Sequence, residues 1–315
     1  MRNVKIIEVA SEIGAGTRGA SLGVDALKIA ALDYMSSFFV NFPSEQVETL
    51  NKLLYEPVSS PYAKRANGVL ETCTRVANSV SNTLKSGLFP VVLAGDHSSA
   101  AGTIAGIRMA RPDKRLGVIW IDAHADLHTP YTTPSGNMHG MPLAAALDED
   151  NLDSGVHQPD AQTVETWNKL KDIGNIKPKI QAEDLVFIGL RDYEREEDYI
   201  LKKNNIKVIP VAELRRKGVE NVVRQAMLHL SACDEIYVSF DVDSLDSSIS
   251  RGTGTPVSNG LREREAEDLV ASLMQNHKIC CFEVTEVNPT LDKENLMAEI
   301  AFNILQRSVN VLLVN

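Results

Sequence analysis

Residues 120–140 read WIDAHADLHTPYTTPSGNMHG. An apolar run, residues 116–121, leads into this stretch and predicts a buried strand. At its end Asp122, His124 and Asp126 alternate with alanines, and His139 follows a turn rich in Thr, Pro, Ser and Gly. Side chains alternate along a strand, so these three residues separate from their neighbours. Where the strand ends, the chain can curl until all three face one point. Two carboxylates and an imidazole massed out of water are costly unless a cation joins them.

The same sequence of events recurs on both sides. Apolar runs at 4–9, 88–94, 184–190, 206–210, 235–240, 279–284 and 309–314 read as further strands, giving about eight in all, with amphipathic helical patterns between them. Residues 24–39, 63–86, 100–110, 211–230, 261–276 and 294–307 read as helices, and a helix starts at 141–147. Residues 45–55 are ambiguous between helix and strand. Residues 148–178 are polar and weakly patterned, a surface insertion with one helical piece at 164–173. Strands alternating with helices predict an α/β protein with a mainly parallel sheet. No repeat or Pro/Gly/Ser linker divides the chain, so residues 1–315 are read as a single domain. An open doubly wound sheet and a closed barrel both fit this pattern, and either gathers ligands at the carboxyl ends of its strands. His97, the Asp122 cluster, the charged cluster from Asp192, the pair Asp241 and Asp243, and Glu286 each follow a strand. Such repeated placement predicts one shared site.

The bulk numbers narrow the function. The chain has 315 residues, 43% hydrophobic and 23% charged, as in an ordinary soluble globular protein. No uninterrupted apolar run nears the roughly 18 residues of a membrane span, and the N-terminus shows no signal-peptide pattern. The net charge of −10 argues against nucleic acid or an anionic membrane as partner and fits a cationic small molecule. Cys73, Cys233, Cys280 and Cys281 form no CxxC pair and read as reduced, as in the cytoplasm.

His97, Asp122, His124, Asp126, Asp241 and Asp243 make four carboxylates and two imidazoles. One metal rarely takes six protein ligands and still has room for chemistry, whereas two metals sharing carboxylates use them all. Four aspartates also balance two divalent cations. Oxygen-rich ligation with two histidines points to Mn2+, with Co2+, Fe2+, Ni2+ or Zn2+ also compatible. The lack of cysteine near these motifs disfavours a structural zinc site. Two metals about 4 Å apart can present a hydroxide near neutral pH for hydrolysis of an unreactive centre.

GDHS at 95–98, DAHAD at 122–126, SFDVDSLD at 239–246 and EVNP at 286–289 together resemble the ureohydrolase family of arginases, agmatinases, guanidinobutyrases and formiminoglutamases. Within it the chain is most similar to the arginases, through TPYTTPSGNMHG at 129–140 and GLRDYEREEDYIL at 189–201. The resemblance implies a three-layer domain with helices on both faces of the sheet. It implies hydrolysis of the guanidinium of L-arginine to L-ornithine and urea by a hydroxide bridging two metals. His97, Asp122, Asp126 and Asp241 would hold one metal; His124 and Asp243 would hold the other, sharing Asp122 and Asp241. Glu286 would pair with the guanidinium, Asp126 would steer the proton, and His139 would shuttle it. Thr255 would line the guanidinium region. Ser135, Asn137 and His128 stand where the substrate α-carboxylate is read, and Glu194 and Glu197 where its α-ammonium is read. The family assembles as homo-oligomers, trimers or hexamers, and the same is expected here.

Three positions depart from the arginase pattern. His128 stands where arginases usually carry Asn, and Glu194 and Glu283 where they usually carry Asp. These changes bear on selectivity more than on catalysis. They keep open a ureohydrolase for agmatine, guanidinobutyrate or formiminoglutamate, and an inactive regulatory relative is a further reading. His157, His229 and His277 belong to no motif.

Overall fold

The computed structural model describes residues 2–314. In chain order the elements are β1 (Val4–Val9), α1 (Gly23–Asp33), α2 (Phe38–Asn41), β2 (Ser44–Gln46), α3 (Ala66–Lys85), β3 (Phe89–Ala94), α4 (Ala100–Ala110), β4 (Leu116–Ile121), α5 (Pro142–Leu147) and α6 (Ala161–Lys171). They continue with β5 (Leu185–Ile188), α7 (Arg195–Lys203), β6 (Lys207–Ile209), α8 (Val211–Lys217), α9 (Val219–His229), β7 (Glu235–Asp241), α10 (Glu263–Met274), β8 (Ile279–Thr285) and α11 (Leu296–Val314).

The strands form one sheet in the order β2-β1-β3-β8-β7-β4-β5-β6, and every pairing is parallel. The sheet is open, with the three-residue strands β2 and β6 at its edges. Period-2 alternation sorts each central strand between two cores. Val91, Ile119, Ile121, Val238 and Phe240 pack with α1, α9, α10 and α11. Val92, Val118, Trp120 and Tyr237 pack on the opposite face with α3, α4, α5 and α7. The architecture is therefore the expected three-layer α/β arrangement.

Chain order explains where the site lies. β3 and β4 follow one another in sequence but are separated in the sheet by β8 and β7. Crossovers that diverge in this way leave a crevice at the carboxyl ends of the strands, where doubly wound proteins bind ligands. The four neighbours β3, β8, β7 and β4 are those that end in His97, Glu286, the Asp241 pair and the Asp122 cluster.

Several local expectations are corrected. Residues 309–314 belong to α11, not to a final strand; Leu305, Val309 and Leu312 are buried at helical steps of four and three. The eighth strand is instead β2, whose sequence SEQ is polar and largely exposed, so it carries no apolar signal and exists through pairing with β1. The helix expected over 24–39 breaks near Met35, at a φ of 51°, and the one over 211–230 breaks at Gly218, at a φ of 83°. The window Leu296–Leu313 in α11 has the length and apolarity of a membrane span, yet 56% of it is buried, and the helix packs on α10 and α1.

Candidate active site and metal centre

His97 follows β3 on a turn held by Asp96, whose carboxylate accepts the backbone N–H groups of Ser98 and Gly14, each at 2.9 Å. The His97 ring stacks on Trp120 with centroids 4.1 Å apart. Its Nε2 lies 2.7 Å from Ser239 Oγ, which holds the ring orientation and leaves Nδ1 to face the cluster. His97 Nδ1 is 3.1 Å from a carboxylate oxygen of each of Asp122, Asp126 and Asp241. About 3 Å is the edge of a coordination shell around a cation with bonds of about 2.1 Å.

Asp122 also belongs to a second group, with His124 and Asp243. His124 Nδ1 lies 2.9 Å from Asp243 Oδ2 and 3.6 Å from Asp122 Oδ1. The chain thus curls after β4 as expected. Asp126 reaches back to His97 by adopting a left-handed backbone with φ of 51°, and Glu286 does the same after β8 with φ of 66°. Such conformations cost a non-glycine residue roughly 1–3 kcal/mol and concentrate at functional sites. Thr255 Oγ1 donates to Asp243 Oδ2 at 3.1 Å.

The electrostatics state what the cluster lacks. Burial, with the charges of neighbouring aspartates, pushes up the carboxyl pKa values of Asp126, Asp241 and Asp243, the last to about 6. Burial opposes charge on both imidazoles, yet surrounding carboxylates hold His97 and His124 well above the usual histidine range. His97 Nδ1 and Asp122 Oδ2 are buried and lie 3.1 Å apart, yet neither makes a well-directed hydrogen bond among the described residues. Ligand atoms that converge without directed hydrogen bonds, a surplus of buried acid and one shared carboxylate fit a pair of divalent cations.

Glu286 sits beside this cluster. Its Oε1 accepts the His97 backbone N–H at 3.0 Å and lies 3.0 Å from His139 Nδ1. Burial lowers the affinity of His139 for a proton, but Glu286 more than offsets it, raising the pKa to about 9. His128, Thr133, Ser135, Asn137 and Glu194 line the same pocket. The turn carrying Ser135 and Asn137 needs Gly136, whose φ is 75° and whose Cα lies close against the Pro61 carbonyl. His128 Nε2 meets Glu194 Oε2 at 2.9 Å. That bond is the main reason the Glu194 pKa falls to about 2, whereas burial raises Glu197 to about 8. Every site residue expected from the sequence lines this pocket, except that Asp122 lies beneath it, within the ligand cluster.

Four further contributors are not assigned a role from the sequence, although Ser239 and Arg191 fall within the motifs at 239–246 and 189–201. Ser239 stands two residues before Asp241 on the same strand face, so its period was the available clue. Arg191 donates to the carbonyls of Asp243, Leu245 and Val257, tying the end of β7 to the loop that carries Thr255. Lys64 Nζ donates to Asn137 Oδ1 at 3.2 Å. His157 stacks on Tyr62 and places Nε2 2.7 Å from the Thr133 carbonyl, bracing the turn from within the 148–178 insertion. The rest of that insertion packs sideways: Lys171 pairs with Asp148 and Asp150, and α6 lies on α3 and α5. Glu283 does not reach the pocket; it is buried under Ser99, Thr103 and Tyr237, which all donate to it.

The family model described as "Arginase family" matches residues 2–309. The chain belongs to the arginase family. It is 36% identical over 312 residues to the arginase of Brevibacillus brevis, covering 95% of each chain, and 35% identical over 309 residues to that of Bacillus caldovelox, covering 96% of each. The crystal structure of arginase from Bacillus subtilis superimposes with a TM-score of 0.82 at 32% identity, covering 98% of both chains. Family membership makes the protein a hydrolase of C–N bonds in linear amidines with a binuclear metal centre.

Proposed function

We propose that this protein hydrolyses L-arginine to L-ornithine and urea, with Mn2+ as its preferred metal. The observation that carries this reading is Asp122, shared by two ligand groups, with the Glu286–His139 pair at their edge. Two divalent cations held by His97, Asp122, Asp126, Asp241, His124 and Asp243 supply, when bound, Lewis acidity that activates water near neutral pH. Glu286 pairs with the guanidinium in a planar, charge-assisted contact and turns its carbon toward the aspartates. Asp126 accepts the proton released as water adds to that carbon. His139 delivers a proton to the departing amine, a role suited to an imidazole within reach of the pocket. Thr255 holds Asp243 in place, and Ser135 and Asn137 present polar groups to the substrate α-carboxylate.

The same reading carries a homo-oligomer, trimer or hexamer, in the cytoplasm; four buried free thiols support a reducing compartment. The test is urea release from L-arginine, agmatine and 4-guanidinobutyrate by the Mn2+-loaded protein. L-Arginine is expected to be turned over well and agmatine poorly. Agmatine as the clearly better substrate overturns the assignment.

A further inference from the structure

If the guanidinium lies at Glu286, the other end of the substrate meets His128, Ser135, Asn137 and Glu194. An α-ammonium there needs a carboxylate. The lining acids are Asp126, Asp241, Asp243, Glu286, Glu194 and Glu197, and the first four belong to the reacting end. Glu197 is buried, and its two oxygens accept backbone N–H groups, Leu127 at 3.0 Å and Glu194 at 3.1 Å, as the closing residue of the α7 capping box. Glu194, with its side chain 52% exposed, is the lining carboxylate left for an ammonium among the described residues.

Glu194 is already engaged. Its Oε2 takes the contact from His128 Nε2 at 2.9 Å. The imidazole is held there: its side chain is only 8% exposed, Nδ1 lies 3.3 Å from Thr132 Oγ1, and the backbone N–H donates to the Gly140 carbonyl at 3.0 Å. An asparagine on the same backbone is shorter and carries an amide in place of the ring. A substrate ammonium that reaches Glu194 meets a carboxylate whose Oε2 already accepts from the imidazole, so it shares that oxygen or is left with Oε1 alone, and it gains less than from an unengaged carboxylate. The carboxylate-reading end keeps its polarity, because Lys64 places an ammonium behind Asn137.

We propose that His128 is a specificity-determining residue: by occupying Glu194 it blunts the reading of the substrate α-ammonium, so the site accepts ω-guanidino carboxylates with or without an α-amino group. This inference rests on the guanidino-hydrolase reading above and deepens it.

The experiment compares kcat/KM for urea release from L-arginine and from 5-guanidinopentanoate, which is arginine without its amino group, in the Mn2+-loaded wild type and in His128→Asn. A freely read ammonium is worth about ten- to hundredfold in selectivity. The wild type is expected to hold the two substrates within about tenfold, and H128N to raise the preference for L-arginine by about tenfold or more. A wild-type preference for L-arginine beyond about a hundredfold overturns the inference without any variant and leaves the arginase reading standing. An unchanged ratio in H128N, or in H128Q should H128N fail to fold, overturns it as well. Absence of urea from both substrates overturns the hydrolase reading and this inference together.

Discussion

Replacing Glu286 with Gln keeps the side chain's size and removes its charge. The carboxylate is buried, and its Oε1 serves both the His97 backbone N–H and His139 Nδ1 at 3.0 Å. The amide oxygen can still accept one N–H, so the fold is expected to survive. Two electrostatic contacts do not. His139, held at about 9 chiefly by Glu286 against the effect of burial, should fall toward or below the ordinary value of about 6.5, a change worth about 3 kcal/mol. The substrate guanidinium loses its counter-charge in a buried site, at a cost of about 3–5 kcal/mol. In kcat/KM for L-arginine, that second loss alone corresponds to a drop of between about a hundredfold and several thousandfold. Steady-state urea release from the Mn2+-loaded variant measures it, with metal content determined on the same sample. NMR titration of the His139 ring in metal-free protein follows the proton. The sign also appears in stability. A histidine whose folded pKa is raised stabilises fully below about 6.5, and the contribution is lost as pH rises through about 9. The melting point of metal-free wild type should therefore fall relative to E286Q across that window. A kcat/KM within about tenfold of wild type, with metals retained, refutes the guanidinium-pairing role. An unchanged His139 pKa in E286Q refutes the electrostatic account of the pair.

Other consequences follow from the supporting residues. Ser239→Ala releases His97 Nε2, so Mn2+ affinity measured by calorimetry should weaken about 10- to 100-fold. Because His97 and His124 hold protons tightly in the metal-free cluster, metal binding must expel them; apparent affinity should rise with pH, and chelator stripping should be faster at pH 6 than at pH 8. His157→Ala removes the brace on the Thr133 carbonyl, and kinetics should show KM for L-arginine rising several-fold with kcat nearly unchanged.

How far the sequence could be read depended on whether an interaction leaves a local trace. Asp122, His124, Asp126, Asp241 and Asp243 were legible because each closes an apolar strand, and burial of a sheet on both faces writes such runs plainly. β2 left no trace, since its three polar residues are ordered by backbone pairing to β1. The end of α11 reads as a strand because VLLV is apolar in either period, and only its packing against α10 and α1 decides the helix. Lys64, His157 and Arg191 act through main-chain or amide contacts distant in sequence, which no residue type announces. His128 was visible as an unusual residue, but its partner Glu194 lies 66 positions away and only the fold brings them together.

The most direct test of the two-metal account is to titrate the metal-free protein with Mn2+ while recording urea release from L-arginine. Activity should rise to a plateau at two Mn2+ per chain. A plateau reached at one, or urea release that persists in the fully chelated protein, would contradict it.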